Sequence, residues 1–257
     1  MRKDTNTEES LSMQTQQHRW TCYRSFHTPT ALSFDLDDTL YDNVPVITGA
    51  EKGTWAYLQS EVPEWAQYSR DDWWKRRHAL VDVYPFLKHD VSRLRRWAIR
   101  EMALALGLSK RQARQLSRDA FAHFLELRNQ VEVAEETHQL LAGLAERYPL
   151  AAISNGNVSL EAIGLADYFD VALFAGDGWP MKPVHCLFRE AERRLKLAPH
   201  QLLHIGDNLH TDVHGANMAG WQSGWLNVHK QPLKLASDIH TLPTIEFEDV
   251  AALHRLL

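Results

Sequence analysis

The pattern of hydrophobic and polar positions changes near residue 130 of this chain. Beyond that point short apolar runs alternate with stretches of helical periodicity, and a further apolar run stands alone far upstream. Short apolar runs bounded by turn residues are typical of buried strands, and strands that alternate with helices favour a parallel sheet. The predicted strands are residues 31–34, 150–153, 171–174, 202–205 and 224–228. We therefore predict an α/β fold with a doubly wound, Rossmann-like parallel sheet.

The segment between the first and second predicted strands is helical throughout. Two successive stretches place apolar residues three or four positions apart, which lines one face of a helix. The two sets are Val91, Leu94, Ala98, Met102 and Ala105, and then Ala113, Leu116, Ala120, Phe124 and Leu127. Gly107 can end the first helix, and Ser109 with Gln112 has the spacing of a capping box that begins the second. The pattern predicts a helical hairpin within a small bundle.

These patterns divide the chain into three parts. Residues 1–22 are rich in polar residues without periodicity, which favours a disordered leader. Residues 23–43 and 130–257 form the predicted α/β core, and residues 44–129 form an α-helical cap inserted after its first strand. Such an insertion lies outside the carboxyl ends of the strands, where open α/β sheets bind ligands. The cap is therefore placed to act as a lid.

Composition and charge narrow the range of partners. The chain has 257 residues, of which 44% are hydrophobic, and a net charge of −5, so it can fill a core but offers no broad basic field for nucleic acid. No apolar run approaches the roughly 20 residues that span a bilayer, so no membrane association is expected. The only cysteines, Cys22 and Cys186, imply no disulfide framework and favour a reducing cytoplasm. No pattern in the sequence specifies an oligomeric state.

Polar residues follow the predicted strands at positions that a parallel sheet brings together. The carboxyl ends of parallel strands share one edge, and the residues expected there are Asp35, Asp37, Ser154, Lys182, Asp207 and Asp212. Carboxylate oxygens suit Mg²⁺, and a lysine ammonium suits phosphoryl oxygens. Taken alone, Asp37-Asp38-Thr39 is equally well an acidic turn that closes a strand. The complete set predicts a site for Mg²⁺ and phosphate.

In order along the chain, these residues resemble the four motifs of the haloacid dehalogenase-like hydrolases. Asp35-x-Asp37-x-Thr39 resembles the first motif and Ser154 the second. Lys182 resembles the third, and the string Gly206-Asp207 followed by Asp212 resembles the acidic fourth. The helical insertion also lies where that family places its first type of cap.

The resemblance implies a role for each motif residue. It implies that Asp35 is the nucleophile, that Asp37 is the general acid and base, and that Mg²⁺ is held by Asp35, Asp37 and Asp207. The substrate phosphoryl group is then bound by Ser154, Asn155 and Lys182, with Thr39 and Asp212 in support. The implied reaction passes through an aspartyl phosphate, and the implied partner is a small phosphorylated metabolite.

Residue 37 distinguishes between the chemistries of the family. Members that remove halide lack an acid at this position, whereas phosphotransferases have Asp there, so Asp37 implies phosphate. Longer strings at residues 34–43, 153–157 and 204–208 resemble a bacterial branch that dephosphorylates 5-amino-6-(5-phospho-D-ribitylamino)uracil in riboflavin biosynthesis and also acts on FMN. Asn208 departs from that branch, which more usually has Asp, and the change affects residues around the metal rather than a direct ligand.

Three alternatives remain open from the residues alone. The substrate can be another small phosphometabolite, such as a sugar phosphate or a nucleotide. A phosphomutase shares these motifs but returns the phosphoryl group to a sugar instead of to water. The third alternative is a module that senses a phosphorylated ligand without turnover.

Other residue clusters have simpler structural interpretations. Arg93, Arg95 and Arg96 are interpreted as a solvated helix face rather than a phosphate site. His204 is interpreted as a hydrogen-bonded core histidine. The cap tryptophans are expected to fill the cap core more than to stack on substrate; they are Trp55, Trp65, Trp73, Trp74 and Trp97.

Overall fold

The computed structural model describes residues 19–233 and 242–257. Its seven-stranded sheet comprises β1 (Thr21–Cys22), β2 (Ala31–Phe34), β3 (Leu150–Ser154), β4 (Val171–Phe174), β5 (Leu202–Gly206), β6 (Gln222–Leu226) and β7 (Ile245–Phe247). The strand order is β1-β7-β6-β5-β2-β3-β4, and every neighbouring pair is parallel except β1 with β7. The predicted α/β sheet is confirmed.

Seven α-helices accompany this sheet in the described part of the chain. They are α1 (Val44–Glu61), α2 (Arg70–Val83), α3 (Val91–Ala105), α4 (Lys110–Arg128), α5 (Glu135–Ala145), α6 (Cys186–Leu195) and α7 (Gly215–Met218). Short 3₁₀ turns span Pro63–Gln67, Pro85–His89, Ala166–Tyr168, Pro199–Gln201 and Val250–Leu256, and a π-helical turn spans Leu209–His214. No helix of the described residues is long and apolar enough to cross a membrane.

Alternate residues of the central strands pack into two separate cores. In β3, Leu150 and Ala152 join the core beneath α5, while Ala151 and Ile153 join the core beneath α6. This alternation follows from the two-residue period of a strand, and it requires apolar residues on both faces. A sheet covered on both faces exposes only its ends, so the carboxyl edge remains available for a site.

Helices α1 to α4 build the helical insertion between β2 and β3. The hairpin has the predicted local signals, because Gly107 has a φ of +87° and Ser109 forms a capping box with Gln112. Leu94, Ala98 and Met102 are buried within its own apolar cluster. The insertion therefore has a core separate from those of the sheet.

The structure differs from the predicted elements at three strands. The strand predicted at residues 224–228 is β6, which begins and ends two residues earlier because buried polar residues start it: Gln222 bonds the backbone of His27. The short strands β1 and β7 are not predicted at all. Residues 1–18 of the expected leader lie outside the described residues, and Thr21–Cys22 at its end form β1 against β7.

Candidate active site

The carboxyl edge of the sheet brings most of the predicted site residues together. Lys182 Nζ lies 2.7 Å from Asp35 Oδ1 and 2.7 Å from Asp212 Oδ1, and it donates a 2.6 Å hydrogen bond to the carbonyl of Ile153. Lys182 is only 1% exposed. Burial alone would lower the pKa of Lys182, but the charges of Asp212 and Asp35 raise it above its ordinary value. The ammonium therefore stays charged between two carboxylates.

The Asp212 carboxylate lies beneath this edge, and both of its oxygens have polar partners. Besides Lys182, its Oδ1 lies 3.3 Å from His204 Nε2, and its Oδ2 accepts the backbone N–H of Asn208 at 3.0 Å. Burial opposes its ionisation, yet Lys182 and His204 hold the pKa of Asp212 below its usual range. A Cβ on Gly206 would lie 2.4 Å from the Asp212 carboxylate, so the glycine creates the space in which this side chain lies.

His204 supports Asp212 from within β5. The ring is 0% exposed, and burial together with Lys182 lowers the pKa of His204 to about 4. Because a carboxylate only accepts hydrogen bonds, the neutral ring donates from Nε2 to Asp212 and accepts at Nδ1 from Ser33 Oγ, 2.9 Å away. The predicted hydrogen-bonded core histidine is thus in place, and it orients the residue that holds Lys182.

Asp37 is paired with two residues that the sequence did not single out. Arg128, the last residue of α4, donates from Nη2 to Asp37 Oδ1, and the Tyr41 hydroxyl donates to the same oxygen at 2.7 Å. Arg128 is 1% exposed, and although burial opposes the charge, Asp37 raises the pKa of Arg128. No sequence spacing distinguishes this arginine from the others in the helices. The only signal is its position at the end of α4, where the chain leaves the helical insertion and re-enters the α/β core.

Gly156 brings the loop after β3 against Asp37. A Cβ there would meet Asp37 Oδ2 at 2.5 Å and Ser154 Oγ at 3.2 Å, so both side chains lie beside the bare glycine backbone. The Ser154 hydroxyl accepts the N–H of Gly156 at 2.9 Å. Asn155 lies between them in sequence, but its side chain bonds the backbone N–H and carbonyl of Lys182, at 2.7 and 3.1 Å. Its amide therefore fixes the Lys182 loop.

A group of three carboxylates fits a divalent cation. Ligand atoms of Asp35, Asp207 and Asp212 lie within 4.8 Å of one another, and they face one ammonium, so their ionised forms carry two negative charges in excess. Burial raises the pKa of Asp35 to about 8 against the effect of Lys182, and burial with Asp212 raises the pKa of Asp207 to about 7. The raised pKa values mean that ionising these carboxylates costs free energy, and a bound cation lowers that cost.

Within this group Asp35 and Asp207 are better placed as direct ligands than Asp212. The two oxygens of Asp212 already accept bonds from Lys182, His204 and the Asn208 backbone. Asp37 does not belong to the group of described carboxylates that can share one ion, so its part in metal binding stays a prediction. The predicted support by Thr39 is a long contact of 3.4 Å from its hydroxyl to Asp207 Oδ1.

A cavity of about 360 Å³ opens beside Gly156, between α3 and α4 and the loops that follow β3 and β4. Its wall contains Arg93 and Arg96 of the cap, and the Asn157 side chain bonds Ser92 of the cap at 3.1 Å. Gly156 lines this cavity, and Asp37 Oδ2 lies beside the same glycine, so one residue separates the cavity from the predicted general acid.

The fold and the site together define a capped α/β protein with a buried lysine among carboxylates at the carboxyl edge of its sheet. Residues 29–220 match the family model of the haloacid dehalogenase-like hydrolases, and the chain belongs to this family. It is 36% identical over 235 residues, 91% of this chain and 99% of the relative, to the 5-amino-6-(5-phospho-D-ribitylamino)uracil phosphatase YigB of Escherichia coli. Phosphoserine phosphatase of Thermus thermophilus is 32% identical over 139 residues, 52% of this chain and 54% of that protein.

Two solved structures resemble this chain. A crystal structure described as a 2-haloacid dehalogenase, from Pseudomonas syringae, has a TM-score of 0.84 and 34% identity, and covers 89% of this chain and 97% of that chain. The putative hydrolase YfnB of Bacillus subtilis, bound to magnesium, has a TM-score of 0.62 at 21% identity, with 90% and 99% covered. At this low identity, the similarity to YfnB concerns the fold alone.

Proposed function

We propose that this hydrolase is a Mg²⁺-dependent phosphomonoesterase that dephosphorylates 5-amino-6-(5-phospho-D-ribitylamino)uracil, in riboflavin biosynthesis, and also FMN. The observation that carries the proposal is the contact of Lys182 with Asp35, inside a carboxylate group that fits one divalent cation and beside Asp37. The Escherichia coli relative, matched over 99% of its length, supports the substrate. The two phosphatase relatives support the class of phosphoric monoester hydrolases.

The first half-reaction follows from the positions of Asp35 and Asp37. An Asp35 oxygen attacks phosphorus, forms an O–P bond and displaces the ester oxygen, while Lys182 neutralises charge on the phosphoryl oxygens. Asp37 gives the leaving alkoxide a proton. Oδ1 of Asp37 is bound by Arg128 and Tyr41, so Oδ2, which adjoins Gly156 and the cavity, is the oxygen that transfers the proton.

The second half-reaction returns the enzyme to its starting state. Water attacks the phosphorus of the aspartyl phosphate, and Asp37 Oδ2 takes a proton from that water. The Asp35–phosphorus bond breaks, which releases inorganic phosphate and the free Asp35 carboxylate. The hydroxyl of Ser154 lies next to the same glycine and can donate a hydrogen bond to the phosphoryl group in both steps.

Mg²⁺ is the cofactor that this carboxylate group suits best. Asp35 and Asp207 would hold it through side-chain oxygens, with Asp212 keeping Lys182 in place. When bound, the ion neutralises charge on the transferring phosphoryl group.

The test is phosphate release from a panel of esters by the purified protein. The panel holds 5-amino-6-(5-phospho-D-ribitylamino)uracil, FMN, sugar phosphates and nucleotides, each with Mg²⁺ and with a chelator. We expect the highest kcat/KM for the ribityl compounds, dependence on Mg²⁺, and loss of at least about 10³-fold in Asp35→Asn. Another ester with a higher kcat/KM would remove the substrate assignment, and wild-type turnover by Asp35→Asn would remove the mechanism.

The description of the Pseudomonas syringae structure gives a reason to include one further reaction. At 34% identity, a 2-haloacid dehalogenase is the competing activity, so chloride release from 2-chloropropionate belongs in the same assay. Asp37 and the carboxylate group favour phosphate instead. Chloride release that exceeds phosphate release from every ester would reverse that preference, and accumulation of a transferred phosphate ester without free phosphate would indicate a mutase.

A further inference from the structure

The helical hairpin of α3 and α4 has five arginines around one groove of about 220 Å³. Their spacing is three and four residues on α3 and four residues on α4, which places each set on one helix face. The five, called the arginine groove below, are Arg93, Arg96, Arg100, Arg114 and Arg118. On the sequence alone, Arg93, Arg95 and Arg96 are interpreted as a solvated helix face. Arg95 instead turns away from the groove, is 7% exposed and pairs with Glu51.

Three of the five guanidinium groups lie over aromatic rings. The distances from Cζ to the ring centroid are 5.9 Å for Arg93 on Phe86, 5.3 Å for Arg96 on Phe121 and 5.2 Å for Arg100 on Trp97. A guanidinium stacked on a ring keeps its N–H edge available for an acceptor, and stacking reduces the side-chain freedom lost on binding. The arginine groove is therefore partly ordered before any ligand enters.

The charges of the arginine groove are not balanced within the described residues. Arg93 lies 3.5 Å from Asp90, and Arg100 lies 3.4 Å from Glu101. No described carboxylate oxygen lies within 4.0 Å of the other three guanidinium groups, so five positive charges face two negative ones. The chain as a whole has a net charge of −5, but the groove has three excess positive charges. This local excess attracts anions.

The arginine groove adjoins the cavity beside the active site. Arg93 and Arg96 line both, and the cavity extends from them to Gly156 next to Asp37. An anion in the groove would therefore share two guanidinium groups with whatever occupies that cavity.

We propose that the arginine groove is a binding site for a phosphate-type oxyanion. Planar guanidinium groups match phosphate oxygens with paired N–H donors, and several of them together favour a polyanion over a single carboxylate. The anion is either a free one such as pyrophosphate or a second phosphate of a ligand whose other end reaches the cavity. This site does not depend on the chemistry of Asp35.

The test is calorimetric titration of sodium pyrophosphate into the full chain at low ionic strength. The double variant Arg114→Gln/Arg118→Gln removes two members that do not line the cavity, so its hydrolysis of p-nitrophenyl phosphate should match the wild type. The matched control is Arg76→Gln/Arg147→Gln, which removes the same charge from exposed positions that lie outside α3 and α4 and line neither the groove nor the cavity. Binding at the catalytic centre persists in both, so only the groove component distinguishes them.

We expect a binding component that weakens at least about tenfold in the groove variant and remains in the control. Identical isotherms for the two double variants, or none of this component in the wild type, would overturn the proposal. Kinetics then separate the two sources of the anion. Added pyrophosphate competes at the catalytic centre in every variant, so a free groove anion is shown by a change in the KM for a monophosphate that differs between the wild type and the groove variant. A second phosphate on the ligand instead makes the variant's KM rise for bisphosphates alone.

Discussion

Arg128 forms a buried ion pair with Asp37, and this contact joins the last residue of the helical insertion to the predicted general acid. The arginine Nη1 is buried without a hydrogen-bond partner among the described residues, and Asp37 together with Tyr41 stabilises the charge of the guanidinium group. The position of the Asp37 carboxylate is thus set by a residue 91 positions away.

Replacing Arg128 by Met should therefore damage both stability and turnover. Loss of one partner leaves a carboxylate unpaired, and because Asp37 is 22% exposed we expect a cost of about 2 kcal/mol, below that of a fully buried pair. Asp37 then keeps only the hydrogen bond from Tyr41 and is held less firmly, so we expect kcat to fall at least about tenfold. Denaturant unfolding and kcat measure the two effects. Arg111→Met, exposed on the same helix, is the control, and equal behaviour of the two variants would contradict the proposed role.

Gly156→Ala should reduce activity with little change in the rest of the fold. The new methyl group would stand 2.5 Å from Asp37 Oδ2, so the acid has to move away from the cavity. We expect kcat to fall at least about tenfold, and the melting temperature to fall by less than in Arg128→Met, because the Asp37–Arg128 pair is displaced and not removed.

Gly49→Ala is the matched control for that variant. Gly49 lies in the exposed part of α1 with nothing within 4 Å of an added Cβ, so alanine should leave kcat unchanged and stabilise the helix by about 0.5–1 kcal/mol. A Gly156→Ala enzyme with wild-type kcat would show that Asp37 Oδ2 is not the oxygen that transfers the proton.

Metal binding should respond to pH in a defined direction. The pKa values of Asp35 and Asp207 are raised to about 8 and about 7 from 3.8, so with chelator the folded state binds more protons than the unfolded state across that window. Stability from these groups is present below pH 3.8 and is lost as pH rises through 7 to 8.

Mg²⁺ needs the deprotonated carboxylates, so its stabilising effect should grow with pH. Thermal unfolding with and without Mg²⁺ should give a larger increase in Tm at pH 8 than at pH 6, and the Asp207→Asn variant should lose most of it. An equal increase at both pH values would argue against binding at these oxygens.

His204 should make the fold less stable in acid. Its pKa is lowered to about 4 from 6.5, so the unfolded state binds more protons between those values, and the contribution is complete above pH 6.5 and lost as pH falls towards 4. His204→Gln removes this titration, and its Tm should fall less steeply than that of the wild type over the same range. Parallel curves would show that the pKa of His204 is not lowered in the folded protein.

The positions of the site residues could be predicted from the sequence because short motifs put them at the ends of particular strands. Asp35 follows β2 directly, and Asp207 follows β5, so the parallel arrangement of these strands is enough to bring them to one edge. Ser109 and Gln112 likewise form the capping box that their spacing predicts, since capping is decided within four residues.

The features that could not be predicted from the sequence depend on contacts between residues far apart in the chain. Strand β6 begins at the polar Gln222 because the His27 backbone satisfies its amide, and the two residues of β1 form a strand only against β7. Arg95 looked like part of a solvated face, but it lies 3.8 Å from the centroid of the Phe124 ring and pairs with Glu51. Such partners cannot be found by local spacing.

By itself, then, the sequence determined the α/β class, the helical insertion and the motif residues, because each depends on periodicity or on positions near one strand end. Only the tertiary structure decided that Asp37 is held by Arg128, that Asp212 holds Lys182 beside Asp35, and that five arginines share one groove. The physical reason is that side-chain charges act over a few ångströms in space, whatever the number of residues between them along the chain.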